Sequence, residues 1–131
     1  MKPLSILVAD DERNICLLLE EWLKPLGHVV VMACNGTEAL KLAEKALFDL
    51  VITDVLMPES DGPKLIEHVK KIQPAARFLA ISGGGRYIDS NECLAIARGF
   101  GADAAIMKPF NREELLEAID SATKRREVPV A

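Results

Sequence analysis

Five short apolar runs punctuate the chain, at Ile6–Ala9, Val29–Met32, Leu50–Ile52, Phe78–Ile81 and Ala104–Met107. None alternates with polar residues, so each predicts a strand covered on both faces, as in a parallel sheet. Between the runs the spacing changes to that of helices. Ile15, Leu18, Leu19, Trp22, Leu23 and Leu26 share one face, and Leu40, Ala43 and Leu47 form a weaker one. Leu65, Ile66, Val69 and Ile72 make a third, Cys93, Ile96, Ala97 and Phe100 a fourth, and Leu115, Leu116, Ile119 and Ala122 a fifth. Asn35-Gly36-Thr37 offers helix-starting oxygens, and Asn111 with Glu114 has the spacing of a capping box. Gly27, Gly99 and Gly101 stand where helices should stop. Five strand–helix units in sequence predict an α/β domain, a doubly wound five-stranded parallel sheet with helices on both faces.

Composition narrows the picture without changing it. The 131 residues suit one domain, with no repeat, low-complexity segment or linker. We expect a domain over 1–124 and a short tail over 125–131, with no output domain attached. Acids outnumber bases 20 to 16, for a formal charge of −4, which argues against direct nucleic-acid binding. No apolar run is long enough for membrane insertion, and the N-terminus does not read as a signal peptide. Cys16, Cys34 and Cys93 fit neither a disulfide framework nor a zinc site, which points to the cytoplasm. All three read as buried small apolar residues, and Trp22 as core. His28 and His68 lie far from the carboxyl ends of the predicted strands.

Ligands of open parallel sheets bind beyond the carboxyl ends of the strands. Here the first run ends in Asp10-Asp11, the third in Asp54, the fourth in Ser82 and the fifth in Lys108-Pro109. Three acids, one hydroxyl and one ammonium should therefore gather at one edge. Clustered carboxylates repel one another unless a cation compensates, and magnesium is the natural choice. A carboxylate in that setting can take a phosphoryl group as an acyl phosphate, with Lys108 and Ser82 donating to its oxygens. Each residue also has a plainer reading: Asp10-Asp11 as a turn before a helix, Asp54 as a loop acid, Ser82 as a turn hydroxyl, Lys108 as a surface lysine. The glycine run Gly83-Gly84-Gly85 fits neither the P-loop nor the dinucleotide pattern.

Taken in order, these motifs resemble the receiver domain of two-component response regulators from about Leu4 to about Thr123. The resemblance rests on the run from Leu7 through Asp10-Asp11-Glu12, on Asp54 with Met57-Pro58 and Asp61-Gly62, and on Ile81-Ser82, Gly101-Ala102-Asp103 and Lys108-Pro109-Phe110. It implies a flavodoxin-like (βα)5 receiver fold with strand order 2-1-3-4-5. It also implies that Asp54 is the phosphoacceptor and that Asp10, Asp11, Asp54 and the Leu56 carbonyl hold Mg2+. Ser82 and Lys108 become the phosphoryl-binding pair, and Lys108-Pro109 a cis peptide bond. Two departures stand out. The position of the family's switch aromatic is Ala105, and the segment after Ser82 is longer than usual at Gly83, Gly84, Gly85, Arg86 and Tyr87. We therefore expect signal transmission mainly through ordering of that loop and the start of the fourth helix, with Tyr87 a weaker candidate for the missing aromatic.

The function expected is that of a single-domain response regulator in a phosphorelay. It takes a phosphoryl group from a histidine kinase or histidine phosphotransfer protein and signals through a downstream protein. The alternatives are a phosphorylation-independent pseudo-receiver, an aspartyl-phosphate hydrolase and a flavodoxin-like cofactor binder. Leu56 stands where such a hydrolase usually carries its second aspartate, which counts against turnover, so the chain reads as a signalling protein with at most slow self-dephosphorylation rather than an enzyme.

Overall fold

The structure, a computed structural model, describes residues 2–57, 60–83, 95, 98–99 and 101–124. Among the described residues, seven strands and four helices follow in the order β1 (Ser5–Ala9), α1 (Arg13–Leu23), β2 (Val29–Ala33), α2 (Gly36–Lys45), β3 (Leu50–Asp54), β4 (Leu56–Met57), β5 (Ser60–Asp61), α3 (Gly62–Ile72), β6 (Arg77–Ser82), β7 (Ala104–Met107) and α4 (Arg112–Lys124). The main sheet runs β2-β1-β3-β6-β7, every neighbouring pair parallel. This is the doubly wound order the resemblance implies. Strand order reverses between β1 and β3, which opens a crevice at their carboxyl ends. The antiparallel pair β4–β5, which the apolar pattern did not foretell, follows β3 directly. Most of the fourth predicted helix lies outside the described residues; residues 95, 98 and 99 are helical. Gly84, Gly85, Arg86, Tyr87 and Cys93 lie outside them as well.

Alternation along the strands explains why the apolar runs are continuous. Leu7 and Ala9 of β1 face Ala39 and Ala43 of α2 and Leu65, Ile66 and Val69 of α3. Ile6 and Val8 face Cys16, Leu19 and Leu23 of α1 and Leu115, Ala118 and Ile119 of α4. All five residues of β3 are buried. A polar residue there must find its partner inside the fold, as Thr53 does by donating its hydroxyl to the Asp54 carbonyl at 3.1 Å.

The caps follow the sequence reading. Glu38 N–H donates to Asn35 Oδ1 at 2.8 Å. At α4, Glu114 N–H donates to Asn111 Oδ1 at 2.8 Å, while Asn111 N–H donates to Glu114 Oε1 at 3.0 Å. Gly101 has φ +95° and closes the preceding helical segment, its N–H donating to Arg98 O at 3.0 Å.

Four expectations are corrected. Leu26 leaves the α1 face because Pro25 sits in a 3₁₀ turn over Lys24–Leu26, which Gly27 ends at φ +93°. Leu47 is 81% exposed because α2 stops at Lys45, and Phe48 occupies the core instead. Ile72 is half exposed at the last turn of α3, where the next residue, Gln73, turns inward. Gln73 Oε1 accepts from Phe48 N–H, and its amide donates to the carbonyls of Ala43 and Ala46, so one side chain ends α2 and seats Phe48. Cys34 is exposed at the end of β2, whereas Cys16 is buried as expected. Trp22 is partly buried at the rim of the α1/α4 core, edge-on to Phe110 with centroids 6.2 Å apart.

Candidate acidic pocket at the strand ends

Register brings the predicted residues to one edge. Asp54 closes β3, opposite Ile81 of β6, and Ser82 closes β6 opposite Met107 of β7. Asp10 follows β1, its N–H donating to Ala33 O of β2 at 3.2 Å. Lys108 follows β7, its N–H donating to Ser82 O at 2.9 Å. The Lys108–Pro109 peptide bond is cis.

The Lys108 ammonium sits among three carboxylates, two from the turn after β1 and one from the end of β3. It lies 2.6 Å from Glu12 Oε1, 3.1 Å from Asp54 Oδ2 and 3.2 Å from Asp10 Oδ2. Asp10 and Asp54 are buried, and Glu12 is exposed at the mouth. Burial works against the Lys108 charge, but the bonds to Glu12 and Asp54 outweigh it and its pKa is raised. Asp10 shows the opposite balance. Burial, reinforced by the nearby Asp54 charge, pushes its carboxyl from 3.8 to about 6, although Glu12 N–H donates to Oδ1 at 2.9 Å and Lys108 stands close.

Asp10, Glu12 and Asp54 bring carboxylate oxygens within 4.8 Å of one another. Asp10 Oδ2 is buried and accepts no hydrogen bond; among the described residues it meets only Lys108. A buried, under-satisfied oxygen in an all-oxygen set suits a hard divalent cation, so the residues present fit magnesium. Asp11 is exposed and does not join the three. Leu56 opens β4 two residues beyond Asp54. Ala105 lies on β7 opposite Ala80, half buried. Gly83 is exposed, with open space where a Cβ would stand.

Sequence reasoning missed Glu12. Its place directly after Asp10-Asp11 was the available signal, since a turn after a strand can aim any of three consecutive acids inward. It also missed Cys16, whose thiol donates to the Asp10 carbonyl at 3.4 Å and fixes the turn from beneath. Burial pushes that thiol up to about 11, which leaves it protonated and inert.

A buried aspartate facing a lysine across a doubly wound sheet, with further acids beside them, defines an acidic pocket of the phosphoacceptor type. The chain belongs to the response regulator receiver domain family, whose model matches residues 6–120. It is 34% identical over 131 residues to the DNA-binding transcriptional regulator NtrC of Azospirillum brasilense, covering 100% of this chain and 26% of that protein. It is 35% identical over 120 residues to the probable transcriptional regulator ycf27 of Cyanidium caldarium, covering 92% and 46%. The chain thus spans about a quarter to a half of the curated relatives it matches. Among solved structures, a putative response regulator from Chloroflexus aurantiacus superposes with a TM-score of 0.82 at 31% identity, covering 95% of this chain and 100% of that one. The chemotaxis protein CheY4 of Vibrio cholerae gives 0.79 at 28%, covering 92% and 99%. Proteins of this family are signalling phosphoacceptors. No helix among the described residues is long and apolar enough to cross a membrane.

Proposed function

We propose that the chain accepts a phosphoryl group on Asp54 from a histidine kinase or histidine phosphotransfer protein and passes the signal to a protein partner. The observation that carries this reading is the 3.1 Å contact between Lys108 Nζ and Asp54 Oδ2, made by the ends of two strands of one sheet. The reaction is a displacement at phosphorus. An Asp54 carboxylate oxygen forms the new bond while the phosphorus–nitrogen bond to the donor imidazole breaks, its electron pair returning to the ring nitrogen. Burial keeps Asp54 away from bulk water, and Lys108 lies ready to donate to the phosphoryl oxygens. Ser82, ending the strand between them, supplies a second donor from its hydroxyl. Asp10, Asp11 and Asp54 with the Leu56 carbonyl would hold magnesium, which supplies the positive charge that compensates both carboxylates and phosphoryl oxygens. Asp11 enters this set through the family motif, and its exposure leaves it able to turn inward. The cytoplasm suits this reading, since Cys16 and Cys34 are free thiols.

Incubation with acetyl phosphate and magnesium, followed by intact-mass measurement, tests the assignment. The protein should gain one phosphoryl group and Asp54→Asn none. An equal gain in the variant would place the acceptor elsewhere.

A further inference from the structure

We propose that Glu12 is a latch on Lys108, a positioning residue that holds the ammonium in the unphosphorylated protein and that an incoming phosphoryl group displaces. The inference rests on the reading of Asp54 as phosphoacceptor. Of the three carboxylates around Lys108, Glu12 is the nearest at 2.6 Å. It is also the only exposed one, its side chain 58% accessible against 6% for Asp54 and 0% for Asp10. Its direction is informative too. Glu12 occupies the N-cap of α1, where a carboxylate would ordinarily meet the first free N–H groups of the helix. It makes no such bond and reaches across to a residue 96 positions away.

Of the three donors of the ammonium, one goes to Glu12 and one to Asp54, with the Asp10 carboxylate beside them at 3.2 Å. A phosphoryl group on Asp54 draws the ammonium toward its own oxygens, in competition with the partner that holds it most closely. Asp10 and Asp54 are buried and fixed at strand ends, whereas Glu12 returns to water at little cost, as exposed ion pairs do. Its charge also stands at the mouth, where a phosphate dianion must pass, and repels it. Both effects act on how readily the donor settles against Lys108, and neither touches the bond-making step. Glu12 is therefore assigned to Lys108, and the cation to its acidic neighbours.

The test is the rate of phosphorylation by acetyl phosphate at saturating magnesium, as a function of donor concentration. Glu12→Gln should lower the half-saturating concentration about three- to tenfold and leave the saturating rate within about twofold. The difference should shrink as salt rises from 0.05 to about 0.5 M. Glu44→Gln, an equal charge change on α2 far from the site, should leave the curve in place. An unchanged half-saturation in Glu12→Gln, or an equal change in Glu44→Gln, overturns the latch. A thermal-melt cycle of Glu12→Gln with Lys108→Met needs no phosphoryl transfer. Non-additive Tm shifts support the pair, and additive ones overturn it. Failure of the wild type to gain a phosphoryl group on Asp54 would instead refute the phosphoacceptor reading, and the melts would still decide the latch.

Discussion

Replacing Asp10 by Asn should stabilise the metal-free protein at neutral pH. Asp10 titrates at about 6 in the folded chain against 3.8 as a free side chain, chiefly because burial penalises its charge. Folding therefore favours the protonated form. The stability this contributes is fully present below pH 4 and is lost as pH rises through 6. Above pH 6 the folded protein holds a buried anion, and a shift of about 2 units corresponds to roughly 3 kcal/mol. Asparagine removes the charge and keeps an oxygen for the Glu12 N–H, which donates at 2.9 Å. Its amide, however, meets Lys108 where Asp10 Oδ2 stood, 3.2 Å away, and that replaces an attraction with a donor–donor contact. A net gain of about 1–3 kcal/mol at pH 7 follows, which for a domain of this size raises Tm by roughly 3–12 °C.

The assay is urea unfolding of wild type and Asp10→Asn in EDTA between pH 4 and pH 8. The variant should lead above pH 6 and converge with the wild type near pH 4. Magnesium should reverse the order at pH 7, because it binds the folded wild type and finds one ligand fewer in the variant. A wild type as stable as Asp10→Asn at pH 7 in EDTA, or a gap that does not close in acid, would refute the claim that burying the Asp10 charge costs the folded protein stability.

Three further outcomes follow from groups away from the pocket. His28 is buried, its Nδ1 accepts from Leu4 N–H at 2.9 Å, and burial lowers its pKa. Its contribution is present above pH 6.5 and lost as pH falls below it, so in an Asp10→Asn background acid unfolding should flatten in His28→Asn, and an unchanged slope would clear His28. Gln73→Ala leaves Phe48 N–H and two helix-end carbonyls without their partner and should cost about 2–4 kcal/mol in urea titrations; a loss under 1 kcal/mol would mean that water replaces the amide. Asp103 holds buried Arg77 at 3.6 Å and accepts from Phe78 N–H at 2.9 Å, so Asp103→Ala should cost about 3–5 kcal/mol. Arg77→Met with Asp103→Asn, which removes both charges and keeps an oxygen for the Phe78 N–H, should recover part of that loss, and no recovery would show that neither the charge pair nor that bond is its source.

The strand ends were legible because their cause is local. A run such as Ile6–Ala9 can be apolar throughout only where both faces are covered, and a parallel sheet then sends every following residue to one edge. Asp10, Asp54, Ser82 and Lys108 met there for that reason alone. Helix ends were harder to read. Leu47 and Ile72 keep the helical spacing, but the chain leaves α2 after Lys45 and a polar residue, Gln73, is drawn inward by three backbone groups. That preference comes from tertiary hydrogen bonds, which periodicity does not contain. The choice among Asp10, Asp11 and Glu12 had a similar origin. Asp10 Oδ1 accepts the N–H of Glu12, a tight turn that leaves Asp11 exposed and brings Glu12 round to Lys108.

On the proposed phosphoacceptor reading, that turn also bears on how the domain would switch. Moving a two-state protein from about 1:99 to 99:1 takes roughly 5.5 kcal/mol of interaction made in one state only. Charge-assisted bonds from a phosphoryl group, at roughly 1.5–3 kcal/mol each, reach that sum only if both donors are newly engaged. Lys108 is not idle beforehand, since Glu12 and Asp54 already hold it at 2.6 and 3.1 Å. Its contribution to switching is a difference between two sets of partners, smaller than a full bond. More of the drive would then come from what a phosphoryl group gathers at the end of β6, where Ser82 is the proposed second donor. Weakening the hold on Lys108 should, by the same reasoning, enlarge that difference in favour of the phosphorylated state. The residue that slows donor entry is thus also the one that limits how far phosphorylation can shift the fold.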